Sequence, residues 1–284
     1  MLAWLRRDDS SAEVCALRGV RDNSTIHVRA LLVTPVKGLR VAPRDQVLLE
    51  PGGVRDNRRF YLVDERGRVA NGKHIGELTE LRAEYVDADR TLTLTLPDGE
   101  RVSGPVRLGP EIDTRFFKVM LRAPLVLGPW SEAISAYVGR QLRLVEPERA
   151  PRGSDRGERG TVSLVSRGSL ERLAEVAGDG HEIDARRFRM LIEIDGIGPH
   201  GEDTWVGRSI RIGDALVTFN GHVGRCLVTT RHPDTGVVDL PTLDLLGEYR
   251  REEPTTEPLA FGIYGHVAEP GTVRLGDPVA MEPG

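Results

Sequence analysis

Apolar positions in this chain fall in short runs broken by Gly, Pro, Asp and Asn. That cadence predicts strands and turns rather than long helices. Residues 26–33 read as the first strand, closed by Thr34-Pro35-Val36-Lys37-Gly38. Residues 46–50 and 60–64 follow, the second ending in the hairpin turn 64–68. Residues 83–86 and 91–96 form a further pair. The second alternates strictly, so one face should be buried and the other wet. Residues 142–145, 161–165 and 191–194 read as strands, and 209–219 as two strands about Gly213-Asp214. Residues 261–267 and 273–279 close the chain. Helical spacing is confined to three places. Residues 128–139 read as a short helix, with Ser131 as its cap and Gly139 as its stop. Residues 169–177 place Leu170, Leu173, Ala174 and Ala177 on one stripe, stopped by Gly178. Residues 243–251 form the third.

One stretch breaks the pattern. Residues 147–160 carry charge around Pro and Gly with no large aliphatic residue, so they cannot bury a core. An exposed linker is expected there. The chain then divides into an arm (1–25), a β domain (26–146), the charged linker (147–160) and a second β domain (161–284). The expected class is mainly β with a few helices, or α+β, as two β-barrel-like domains. A length of 284 residues suits two domains.

Composition narrows the function. Hydrophobic residues are 39%, charged residues 29%, and the net charge is −4. Bulk charge therefore gives no case for nucleic acid. No apolar run approaches the ~20 residues that span a bilayer. The two cysteines, Cys15 and Cys226, show no disulfide spacing, which fits a reducing compartment. A cytoplasmic protein is expected. Two thiols are also too few to hold an iron–sulfur cluster from this chain alone. Phosphate-loop, dinucleotide and nucleophile-elbow motifs are absent from the sequence, and the seven histidines show no zinc spacing.

The candidate chemistry centres on Gly221-His222-Val223-Gly224-Arg225-Cys226 and the following Leu227-Val228-Thr229-Thr230. The β-branched run 227–230 predicts a strand, which Cys226 would enter from a glycine-bearing loop. Sulfur is a soft metal ligand, and a neighbouring guanidinium favours its anion. The alternative is a small buried hydrophobe.

Gly224-Arg225-Cys226, Thr229-Thr230 and Pro233-Asp234-Thr235-Gly236 together resemble the cysteine segment of the MOSC domain family. The amidoxime-reducing branch of that family is the better match. Its N-terminal β-barrel domain is similar in Pro35-Val36-Lys37-Gly38 and Arg58-Arg59-Phe60-Tyr61-Leu62-Val63. The resemblance implies a molybdenum-pterin cofactor with Cys226 as metal ligand and catalytic centre. It also implies cationic contacts from Lys37, Arg58, Lys73 and Arg189, and anion contacts at the turn bearing Ser166 and Arg167. Ser166 fits a helix cap equally well. Asn57, the run 71–74 and Met190-Leu191 depart from the family pattern. Gly201 to Arg208 resembles its Glu-Asp-Ser/Thr-Trp segment, where a structural role is expected. The activity implied is reduction of N-hydroxylated or N-oxide small molecules, fed by an external flavin- or haem-containing electron donor. Two alternatives follow from the same resemblance. One is a sulfur carrier with a persulfide on Cys226, served by an external pyridoxal phosphate-dependent desulfurase. The other is a non-enzymatic binding module.

Overall fold

The computed structural model describes residues 25–147, 156–178, 180 and 182–282. Cys15 and most of the expected arm and linker lie outside them. Among the described residues, strands dominate. Three α-helices accompany them: α1 (Trp130–Val138), α2 (Arg167–Ala177) and α3 (Thr242–Tyr249). The fold is mainly β, of the α+β class.

One eight-stranded sheet organises the molecule. Its order is Val279–Met281, Ser209–Ile212, Ala215–Gly224, Ala260–Glu269, Val162–Ser166, Ile192–Asp195, His27–Val33 and Ala42–Arg44. Val162–Ser166 and Ile192–Asp195 pair in parallel, with α2 in the crossover between them. The first two strands of the described residues thus complete the sheet of the C-terminal half. Val28, Leu31 and Val33 pack into one core with Ile192, Ile194, Val217 and Phe219. Gln46–Leu49 likewise pairs with Gly271–Arg274. The division expected at 147–160 is therefore crossed by sheet and core alike. The cause is local: residues 31–33 are apolar and buried in succession, so both faces of that strand need cover.

The rest of the N-terminal half forms a five-stranded and a three-stranded sheet around a second core. Phe60, Leu62, Leu92, Leu94, Ile134 and Leu144 meet there. Trp130 sits among them and donates its indole N–H to the carbonyls of Leu92 and Val102 at 3.1 and 3.2 Å.

Several elements differ from expectation. Thr93, on the supposedly wet face of Thr91–Thr95, is buried, and its hydroxyl meets that of Ser103 at 2.7 Å. Ser131 lies inside α1 rather than at its cap, where its hydroxyl accepts from the Leu144 N–H. Gly139 does end α1 in the left-handed conformation. A long hairpin, Arg107–Phe116 with Val119–Leu127, was not anticipated.

Candidate functional site

The strand Ala215–Gly224 carries the chain to the cysteine. A Cβ on Gly224 would lie 2.6 Å from a Glu257 carboxylate oxygen and 3.0 Å from the Pro258 carbonyl oxygen, so a side chain there would force its neighbours to shift. Cys226 continues in an extended conformation, with φ −133°. Leu227–Thr230 then forms a single 3-10 turn, not the expected strand. The threonines explain the difference. The Thr229 hydroxyl donates to the Cys226 carbonyl at 3.0 Å, and the Thr230 hydroxyl to that of Leu227 at 2.7 Å. Such local bonds offer the backbone a turn in place of a ladder. Cys226 sits at the entry to that turn and is exposed, not sealed in the core.

The turn after the cysteine is clamped to the N-terminal half. Arg40 donates to the Asp234 carbonyl at 2.6 Å and pairs with its carboxylate at 3.0 Å. Arg186 holds the same carboxylate at 2.7 Å. Its hydrogen bonds to Asp234 hold that acid below the ordinary carboxylate range. Gly76 and Gly236 meet back to back: a Cβ on Gly236 would lie 2.1 Å from the Gly76 carbonyl oxygen.

Between the halves lies a cavity of about 360 Å³, and Cys226 lines it. Lys37, Arg58 and Lys73 reach it from the N-terminal half, Arg189 from the C-terminal half. Arg156 and Arg225 line it too, and no Asp or Glu does so among the described residues. The chain's net negative charge is thus reversed locally, which suits an anion. Arg156, in the expected linker, is bound to Glu257 through both carboxylate oxygens and lies 4.3 Å over the Tyr264 ring. Burial would raise Glu257, but the Arg156 hydrogen bonds and charge outweigh it and leave it lowered.

Three cavity residues, Arg58, Phe117 and Arg189, have φ between 52° and 56°. Non-glycine residues adopt that region at a cost, and such strain gathers at functional sites. Here it is held by backbone contacts. The Arg58 N–H donates to the Thr34 carbonyl at 2.6 Å, and its guanidinium to the Arg189 carbonyl at 2.8 Å. Arg189 in turn donates to the Leu39 carbonyl at 2.6 Å. Arg225, beside the cysteine, is fixed by three acceptors: the carbonyls of Phe261 and Phe188 and the sulfur of Met190. Burial first, then Arg156, push its pKa down to about 9, so it keeps its charge at neutral pH. Met190, which departs from the family pattern, thereby helps to anchor a cavity cation.

The MOSC domain model matches residues 152–280, and the MOSC N-terminal beta barrel domain model matches residues 25–126. Mitochondrial amidoxime reducing component 2 of Bos taurus is 34% identical over 291 residues, spanning 89% of this chain and 82% of that protein. This chain belongs to the MOSC domain family. Mitochondrial amidoxime-reducing component 1 of Mus musculus is 29% identical, again over 89% of this chain and 82% of that protein. Molybdenum cofactor sulfurase of Oryza sativa subsp. japonica is 27% identical over 84% of this chain and 32% of that protein.

Within the MOSC segment, two of the sequence candidates stand apart from the cavity. Ser166 is fully buried and caps α2, its hydroxyl accepting from the Ser169 N–H. Ser166 and Ser169 both donate their hydroxyls to Glu202, at 2.7 Å each. Arg167 is engaged by Glu171 and Glu182 at 3.0 and 2.5 Å. Neither is among the lining residues. Arg187 is taken up by Asp239 at 2.7 Å. Glu202 has the structural place expected of its segment: wholly buried, it orders the loop before Trp205. The MOSC fold also brings a residue to the cavity that sequence reading passed over. Thr161 is buried and lines the cavity, and its hydroxyl has no partner among the described residues. An orphaned buried hydroxyl is costly unless a ligand meets it.

Proposed function

We propose that this MOSC protein is a molybdenum-pterin oxidoreductase that reduces N-hydroxylated or N-oxide compounds, with Cys226 as the metal ligand. The observation that carries this reading is one exposed sulfur in a cavity lined by cations and no carboxylate. Among the described residues no group of three or more His, Cys, Asp or Glu forms a metal site. A metal at Cys226 would therefore draw further ligands from its cofactor, as a pterin dithiolene provides. The anionic end of that cofactor suits Lys37, Arg58, Lys73 and Arg189, and the Thr161 hydroxyl offers one more polar contact.

Overall, the substrate N–O bond breaks, two electrons and two protons enter, and water leaves. When bound, the molybdenum-pterin group supplies the two-electron chemistry at that bond. The electrons come from an external flavin- or haem-containing donor. The chain's own residues bind and orient. Arg58 and Arg189, tied to each other through backbone, present fixed cations to an anion. Arg225 keeps a positive field beside Cys226 without competing for it, because carbonyls and a thioether satisfy its donors. No general base from the protein is required.

The exposure of Cys226 favours one second reading, a persulfide carrier. Metal and pterin analysis of the purified protein beside Cys226→Ser decides between them. Near-stoichiometric molybdenum in the wild type and loss of roughly nine-tenths in the variant is the expected result. Equal metal content in both would overturn the proposal. A metal-free wild type bearing a cyanide-labile sulfur would support the carrier.

A further inference from the structure

Phe117 occupies the tip of the hairpin Arg107–Phe116/Val119–Leu127, in a two-residue loop between the paired Phe116 and Val119. Glycine or asparagine normally takes such a position, since φ there is 56°. A bulky aromatic is the costlier choice. Its ring nevertheless lines the cavity that holds Cys226 and is 44% exposed. The Lys37 ammonium lies 5.5 Å from its centroid, and the Phe116 ring meets it edge-on at 5.2 Å. These contacts fix the ring without covering it.

The other cavity aromatics are spoken for. Phe188 is 3% exposed, stacked on Phe261 at 4.3 Å and faced by the Arg225 guanidinium at 5.2 Å. Tyr264 lies under Arg156. Among the described residues, Phe117 thus offers the open aromatic surface of the cavity. We infer that Phe117 is a specificity-determining residue whose ring stacks on substrates carrying an aromatic group beside the reducible N–O function. The inference rests on the proposed reductase activity and names the substrate class it favours. Offset stacking or an edge-to-face pair would supply the preference over an alkyl analogue of the same head group.

The test compares holoenzyme of wild type, Phe117→Leu and Phe117→Tyr on benzamidoxime and acetamidoxime. The leucine keeps apolar bulk, and the tyrosine keeps the ring. In Phe117→Leu, KM for benzamidoxime should rise about tenfold relative to that for acetamidoxime. Its kcat should stay within about twofold, and so should its pterin content. Phe117→Tyr should keep the wild-type preference. Parallel losses on both substrates, or a KM ratio unmoved by leucine, would overturn the inference. A fall in pterin content would overturn it too, by assigning the ring to the cofactor. Calorimetric titration of each protein with benzamidoxime gives a second readout. If the wild type reduces neither compound, the reductase reading fails on its own, while weaker benzamidoxime binding by Phe117→Leu than by Phe117→Tyr would still assign the ring to the ligand, and equal binding would still reject it.

Discussion

Arg58 and Arg189 show how a single residue can be tuned for charge at the expense of backbone comfort. Glycine at either position would release about 1–2 kcal/mol of left-handed strain. For Arg189 it would also remove the hydrogen bond to Leu39, worth about 1 kcal/mol. Arg189→Gly should therefore shift urea-unfolding stability by no more than about 1 kcal/mol. Cofactor retention should fall roughly tenfold, since a charge-assisted contact is lost. A large loss of stability with unchanged pterin content would place Arg189 in the scaffold instead. At this scale much of the candidate site's lining was legible: Lys37, Arg58, Lys73, Arg189 and Cys226 stand about one cavity. Arg156 was not, because its charged, Gly-rich surroundings carry no apolar pattern. Its role comes from Glu257, a hundred residues on, which no local reading supplies. Thr161 was missed for the same reason. A threonine opening a strand reads as β propensity, and only the fold shows its hydroxyl without a partner among the described residues.

Elements with an apolar run or stripe were readable, and those without were not. His27–Val33, Arg82–Val86 and α2 followed their apolar spacing. The hairpin Arg107–Leu127 is exposed on both faces through most of its length, so it gives no alternation to read. The run 227–230 had strand composition, but its threonine hydroxyls bond backward to the backbone and close a turn. The start of α2 illustrates a buried polar element. Glu202 accepts from the Ser166 N–H at 3.1 Å as well as from two hydroxyls, and burial raises its pKa despite those bonds. Glu202→Gln replaces one acceptor by a donor facing donors. It should destabilise the protein by about 1–3 kcal/mol in urea titration, with cofactor content per folded molecule unchanged. His200, two residues earlier, gives a pH signature. Burial first, then Arg250, push its pKa down to about 3. An unfolded histidine titrates near 6.5, so the unfolded state binds the extra proton between those values. This contribution is complete above about pH 6.5 and declines as the pH falls toward 3. The melting temperature should thus drop on acidification from pH 7 to 5. His200→Asn, which tolerates the left-handed φ of 55°, should flatten that drop. Equal pH slopes in both proteins would rule it out.

At the scale of the whole molecule, the cavity exists because the two halves are locked in register. The contact between Gly76 and Gly236 leaves no room for a side chain, and Gly236 has φ 67°. Gly236→Ala should cost at least about 2 kcal/mol in stability and also lower molybdenum content, since the turn that follows Cys226 would be displaced. A variant with full metal loading and wild-type stability would show that the lock is dispensable. Among the described residues no helix is long and apolar enough to cross a membrane. A mainly β class was legible from cadence. Strand exchange between the halves was not, because a pairing partner more than a hundred residues away leaves no local mark.

That exchange bears on any attempt to dissect the protein. A fragment beginning at residue 156 would lose His27–Val33 from beside Ile192–Asp195. It would bare a row of unpaired amides and carbonyls along an apolar ribbon, a ready template for self-association. Such a piece should be recovered as aggregate and should dissolve as a monomer only when a peptide covering 25–50 is supplied in trans.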